Sequence, residues 1–203
     1  MLNLGRLAEG AREQDEAVGW YRRAAELGNS YAQLLLGEFH SKGQGVMQDH
    51  RKAAMWWTSA AEKGEKIAQY ELGRCYAFGV GVPLNEKEAV KWWTKAAKNG
   101  WRRAFYDLGI CYARGKGVPQ DKLAAYKWLR LAAEECDKTI RSKAKGEAAT
   151  LEELMSSSEI DACLKFCKEF DDREWSREPR WWKEMFKGLH VTREWRALSE
   201  TEG

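Results

Sequence analysis

The sequence predicts an all-α protein, an α-solenoid of antiparallel helix pairs, and three observations carry that prediction. Trp20, Trp56, Trp92 and Trp128 stand 36 residues apart, and Ala17, Ala53, Ala89 and Ala125 keep the same step, as do Ala25, Ala61, Ala97 and Ala133. Glycine follows the step at Gly28, Gly64 and Gly100, and again at Gly37, Gly73 and Gly109. Within each period the apolar residues recur at helical spacing, so the unit reads as helix, turn, helix, turn. Each unit of such an array buries its apolar face only against its neighbours. The product is a long groove of the kind that holds peptides and partner proteins, and rarely a catalytic centre by itself.

The unit from Ser30 to Gly64 shows the elements in order. Ala32, Leu36, Phe39 and His40 share one face of a first helix. Gly43-Gln44-Gly45-Val46 makes a turn, and Asp49 is suited to cap the next helix. Ala53, Trp56, Trp57, Ala60 and Ala61 form the apolar face of the second helix, and Gly64 ends it. The next unit repeats this with Ala68, Leu72, Gly73, Cys75 and Tyr76, then Gly79 to Pro83, the cap Asn85, and Ala89, Trp92, Trp93, Ala96 and Ala97 before Gly100. The following unit has Ala104, Leu108, Gly109, Cys111 and Tyr112, the turn Gly115 to Pro119, the cap Asp121, and Ala125, Trp128, Leu129, Ala132 and Ala133. Its closing glycine is missing at Cys136, where the array changes character. A glycine inside a helix costs about 1 kcal/mol against alanine. Its recurrence at 37, 73 and 109 therefore predicts a close helix contact that a side chain would block.

These residues resemble the Sel-one-like repeat (SLR), a relative of the tetratricopeptide repeat. The units over 32–64 and 68–100 match almost throughout, and 104–133 matches until its end. An initial unit is partial: Leu4-Gly5, Gly10, Asp15, Ala17, Trp20, Ala24, Ala25 and Gly28 fit, with a shortened turn between its helices. The resemblance implies a right-handed superhelix whose first helices line the concave surface. It implies function only loosely, because the family is defined by scaffold rather than chemistry.

Beyond Asp137 the pattern lapses. Lys138 to Met155 reads as a long polar helix in the place of a further first helix. Ser156 and Glu159 form a capping box, and Ile160, Cys163, Leu164, Cys167 and Phe170 line one face of the helix that follows. Past Asp171 the chain turns aromatic and basic, with Trp175, Arg177, Arg180, Trp181, Trp182, Lys183, Phe186, Lys187, Arg193, Trp195 and Arg196. Ser176 before Glu178-Pro179 starts a short helix that Gly188 ends, and Thr192 suits the start of another. The expected division is a repeat array over 1–136 (a partial unit 1–28, then 29–64, 65–100 and 101–136) and a C-terminal helical cap with a basic aromatic tail over 137–203.

Composition narrows the function. Three prolines and 44% apolar residues argue against disorder. The balance of 34 basic and 31 acidic residues gives no reason to expect nucleic acid as the main partner. Glu174, Glu178, Glu184 and Glu194 interrupt the basic tail, so packing of its tryptophans is a better reading than base stacking. No apolar run approaches the ~20 residues of a membrane span. The N-terminus lacks the charged start and apolar core of a secretory signal, so the chain as it stands is expected in the cytoplasm. Five cysteines form no recurrent pair, which reads as free thiols in a reducing compartment. Cys163 and Cys167 lack further ligands nearby and sit on an apolar stripe, so no metal is expected, nor any cofactor or small-molecule substrate. His40 takes the position of Tyr76 and Tyr112 and reads as packing, and no catalytic grouping assembles around it, His50 or His190. The Gly-x-Gly turns join two helices without a preceding strand, and are turns rather than phosphate cradles.

The candidate site comes from comparing units. Tyr31, Leu35, Glu38 and Lys42 share one face of a first helix, and Ile67, Glu71, Arg74, Phe78 and Arg103, Asp107, Ile110, Arg114 occupy the same positions in the next two. The core face repeats its residues and this stripe does not. Its mixed charges and apolar side chains suit a peptide or protein segment held in the concave groove, with Phe78 and Arg114 as anchors. The expected function is a non-enzymatic protein–protein interaction scaffold or adaptor. A cysteine-rich subgroup of SLR proteins is linked to β-lactam binding and hydrolysis. Here Ala61, Ala68, Ala97 and Ala104 fill the places of its paired cysteines, which disfavours that alternative.

Overall fold

The computed structural model describes residues 14–169, and among them are nine α-helices and no strand. They are α1 (Gln14–Glu26), α2 (Ser30–Lys42), α3 (His50–Glu62), α4 (Lys66–Phe78), α5 (Glu86–Lys98), α6 (Arg103–Arg114), α7 (Lys122–Glu135), α8 (Lys138–Glu152) and α9 (Ser157–Glu169). Each packs on its sequence neighbour from α1 to α8, α9 lies on α7, and α6 also meets α8. This is an all-α solenoid. Leu4-Gly5, Gly10, Phe170, His190 and the segment 173–196 lie outside the described residues.

Local chemistry starts and stops the helices where the repeat demands. Asn29, Asp49, Asn85, Asp121 and Asp137 are N-caps whose side chains accept from backbone N–H groups two or three residues on. Gly43, Gly79 and Gly115 close α2, α4 and α6 at φ of 68°, 66° and 67°, left-handed values that glycine adopts without strain. One backbone bond locks each turn: Asp49, Asn85 and Asp121 donate their N–H to the carbonyls of His40, Tyr76 and Tyr112, all at 2.9 Å. The second glycine of two turns permits a close approach. A side chain on Gly81 or Gly117 would collide with the backbone carbonyl of His50 or Glu86, at the start of α3 or α5 in the preceding unit.

The helical glycines do what their recurrence predicts. A Cβ on Gly73 would lie 2.5 Å from Cδ1 of Trp93, and one on Gly109 would lie 2.7 Å from Cγ of Leu129. Gly37 faces Trp57 in the same way. The gap-filling side chain is therefore the second residue of each Trp-Trp or Trp-Leu pair. The residues of the 36-step series differ in burial along the array, from half-buried Trp20 and Trp56 to buried Trp92 and Trp128.

Polar stitching joins the units. Gln33 and Gln69, both buried, donate from Nε2 to the carbonyls of Ala25 and Ala61 at 3.1 and 3.0 Å. Lys63 reaches back to the carbonyl of Gly28 at 2.8 Å, and Asn99 to Oε1 of Gln69 at 2.9 Å. The closing glycine missing at Cys136 is replaced by an extended residue whose thiol donates to the carbonyl of Arg102 at 3.0 Å. Ala144 and Ala148 of α8 are buried 36 residues after Leu108 and Tyr112, so α8 stands where a further first helix belongs. Ser156 and Glu159 form the expected capping box, with the Ser156 N–H donating to the Glu159 carboxylate at 2.8 Å. Cys163 and Cys167 are buried on α7, thiols toward the carbonyls of Leu123 and Lys127.

Candidate interaction surface

The stripe residues fall on α2, α4 and α6 as a graded surface. Tyr31, Leu35, Ile67 and Ile110 are half-buried and rest against the core. Glu38, Glu71 and Asp107 are also half-buried, whereas Lys42, Arg74, Phe78, Arg103 and Arg114 are exposed. Phe78, the last residue of α4, is 66% exposed.

Ion pairs engage most of the charges. Lys42 pairs with Glu38 at 3.6 Å and Arg74 with Glu71 at 3.1 Å, each along one helix. Arg103 meets the N-cap carboxylate of Asp137 at 3.2 Å, and Arg114 meets Glu147 at 3.4 Å. These two bonds tie α6 to the start and middle of α8. The carboxylates form a row across three helices: Glu38 acts on Glu71, and Glu71 on Asp107.

Burial pushes the Asp107 carboxyl up to about 6, although the Tyr70 hydroxyl bonded to it and the nearby Arg74 guanidinium favour the charged form. Burial also raises Glu71, against the pull of Arg74. The thiols of Cys75 and Cys111, on the adjoining core face, are pushed up to about 11 and 12 by burial and are poor nucleophiles. No group of three or more His, Cys, Asp or Glu side chains stands together as a metal site among the described residues. The surface offers charge, aromatic contact and hydrogen bonds, which are means of binding.

Sequence comparison overlooks three members of this surface. Tyr70 and Tyr106 occupy one repeat position, where the preceding unit has buried Leu34, and their recurrence 36 residues apart is the available signal. Tyr70 bonds Asp107 and lies 6.1 Å from the Trp101 ring, joining two units. Glu147 lies in α8, beyond the regular pattern, and only its pairing with Arg114 brings it to the surface.

Paired helices stacked at a 36-residue step, with a variable stripe beside recurrent alanine, leucine and glycine packing positions, define a repeat solenoid. The Sel1 repeat model matches residues 1–29, 30–65, 66–101 and 103–135, and the chain belongs to the Sel1 repeat family. A Sel1 repeat protein from Oxalobacter formigenes is 32% identical, with a TM-score of 0.56 over 62% of this chain and 95% of that one. The protective antigen c5321 of uropathogenic Escherichia coli, which displays an SLR fold, is 26% identical with a TM-score of 0.57. That match covers 87% of this chain but 47% of the antigen, so this chain spans about half of it. Helicobacter pylori cysteine rich protein B shares the fold at 20% identity and a TM-score of 0.50, over 66% of this chain and 98% of that one. In this chain Ala61, Ala68, Ala97 and Ala104 are all buried alanines. No curated protein matches the sequence. No helix among the described residues is long and apolar enough to cross a membrane.

Proposed function

We propose that this protein is a non-enzymatic interaction scaffold that holds a peptide or protein segment along its inner face. The contact stripe runs over Tyr31, Leu35, Glu38, Lys42, Ile67, Glu71, Arg74, Phe78, Arg103, Asp107, Ile110 and Arg114. One observation carries the reading: on three first helices, the packing positions Ala32, Leu36 and Gly37 recur unchanged as Ala68, Leu72, Gly73 and Ala104, Leu108, Gly109, while all four positions of the adjoining stripe change. The stripe also sets an exposed phenylalanine, Phe78, beside paired charges, a mix of contacts suited to a peptide or protein segment. Aromatic and arginine side chains dominate interface energetics, so Phe78 and Arg114 are the anchors. The α8–α9 pair acts as the C-terminal cap of the array. Buried cysteines, none of them in a disulfide among the described residues, fit work in the reducing cytoplasm.

The test is capture from native lysate by the intact chain and by a Phe78→Ala/Arg114→Ala variant. Both residues are exposed, and the Arg114–Glu147 surface pair contributes at most about 1 kcal/mol, so the variant is expected to fold, which its circular dichroism and thermal melt check. The scaffold reading expects a partner held by the intact chain and released by the variant. Equal capture by both would refute the stripe.

A further inference from the structure

We propose that the inter-helix turn from Phe78 to Leu84 is a docking site for an acidic protein segment that presents one large apolar side chain. The inference rests on the scaffold reading and names the class of partner at one end of its stripe. Phe78, Val80 and Leu84 are 66%, 40% and 65% exposed. The equivalent residues one unit earlier are Lys42, Gln44 and Gln48, and one unit later Arg114, Lys116 and Gln120. At these three positions both neighbouring turns are polar, although the earlier turn exposes Met47 at a different position.

The neighbouring glutamines also have a structural task that Leu84 cannot perform. Gln48 donates from Nε2 to the carbonyl of Ser41 at 2.8 Å, and Gln120 to that of Ala113 at 2.9 Å. Leu84 has no donor for the corresponding carbonyl, that of Ala77. This one turn thus forgoes a bond made on either side and exposes three apolar side chains. Neither change helps the fold.

The turn is a rigid frame. Asn85 bonds the carbonyl of Tyr76 at 2.9 Å, Gly81 abuts the backbone at the start of α3, and a Cβ on Gly79 would lie 3.3 Å from Cβ of Leu84. Apolar groups held this way need little ordering when a partner arrives.

Charge selects the occupant. Lys42 and Arg114 flank Phe78 at the same position of the adjoining units, and Arg74 lies one turn before it. Each has a carboxylate partner, yet the cation is the more exposed member every time: 58% against 37%, 55% against 36%, and 51% against 24%. Lys87 and Lys116 add exposed charge. The acids on this side, Glu86 and Glu88, are half-buried, and Glu88 pairs with Lys91 at 3.5 Å. The outermost charges on the flanking units are therefore mostly cationic, and the paired carboxylates are set deeper. An apolar turn with outward cations beside it fits a segment with carboxylates around a leucine or phenylalanine and a backbone N–H for the carbonyl of Ala77. A second copy of this chain would bring the same outward cations.

Fluorescence anisotropy on the full chain tests this with three labelled dodecapeptides: glutamates around a central Leu-Phe, lysines around Leu-Phe, and glutamates around Ser-Ser. The Val80→Gln/Leu84→Gln variant carries polar residues of the kind the neighbouring turns use, so its melting temperature should be unchanged or raised. The glutamate/Leu-Phe peptide is expected to bind the native chain, and to bind the variant about tenfold more weakly. The other two peptides should bind the native chain at least about tenfold more weakly than it does. Equal affinity for native and variant chains, equal affinity for the lysine peptide, or no binding would overturn the proposal. If affinity survives Val80→Gln/Leu84→Gln but falls with Arg103→Ala, an exposed stripe cation away from the turn, the segment lies on the inner stripe. The turn is then wrong and the scaffold reading stands.

Discussion

Replacing Gly73 by alanine should destabilise the array, although alanine is the better helix former. The residue lies inside α4, where the exchange alone would gain about 1 kcal/mol. The new methyl would fall 2.5 Å from Cδ1, 2.6 Å from Nε1 and 3.1 Å from Cγ of Trp93. That ring is 5% exposed and cannot swing into solvent without opening the core. Overpacking of this kind costs about 1–3 kcal/mol. The ring also donates from Nε1 to the carbonyl of Tyr70 at 3.2 Å, and its displacement forfeits about 1 kcal/mol more. The net expectation is a loss of about 1–3 kcal/mol. Gly146→Ala is the matched control, because Gly146 is exposed in α8 with no heavy atom within 4 Å of the added Cβ. It should gain about 0.5–1 kcal/mol. Urea unfolding followed by circular dichroism measures both. Repeat arrays can unfold in parts, so the slopes must be compared as well as the midpoints. A Gly73→Ala protein as stable as the native chain would refute the account of glycine as a close-approach residue.

Two further outcomes follow from the same structure. Asp107 carries a folded-state value near 6 against an ordinary 3.8, so the folded chain binds its proton more tightly than the unfolded chain. Its contribution to stability is present at low pH and is lost as pH rises from 3.8 through about 6. Asp107→Asn should therefore raise stability at pH 7 by about 1–3 kcal/mol and flatten the pH dependence across that window in denaturant titrations. An unchanged pH profile would count against a desolvated carboxylate. Asp121 caps α7 through bonds to the N–H groups of Leu123 and Ala124, both at 2.9 Å. Asp121→Ala should lose about 1 kcal/mol and Asp121→Asn should retain most of it, as read by thermal melts.

What is legible in the sequence is what the repeat enforces. The helix pairs, caps and turns follow from residues recurring every 36 positions, because a solenoid asks each unit to meet its neighbour in the same way. The tight contact at Gly73 is legible for that reason. The identity of the ring filling it is not, since the tryptophan common to all four units is Trp92 while its neighbour Trp93 does the packing. Surface partnerships are harder still. Arg103 and Arg114 look like open cations on a helix face, and their carboxylates, Asp137 and Glu147, come from a stretch where the pattern has lapsed. Tyr70 is hidden for a different reason: its role depends on Asp107 one unit away, and no single-helix periodicity links them. Leu84 shows the converse, because aligning it with Gln48 and Gln120 exposes a departure that matters only once their hydrogen bonds are seen.

The central claim is that a partner lies along the inner stripe. Site-resolved photocrosslinking tests it most directly. A benzophenone side chain would be placed singly at Glu38, Ile67 and Ile110 on the stripe, and at Met55, Lys91 and Lys127 on the second helices. The full chain would be irradiated in native lysate. The account predicts one common adduct from the three stripe positions and none from the second-helix positions. Adducts confined to the second helices, or spread equally over both sets, would contradict it.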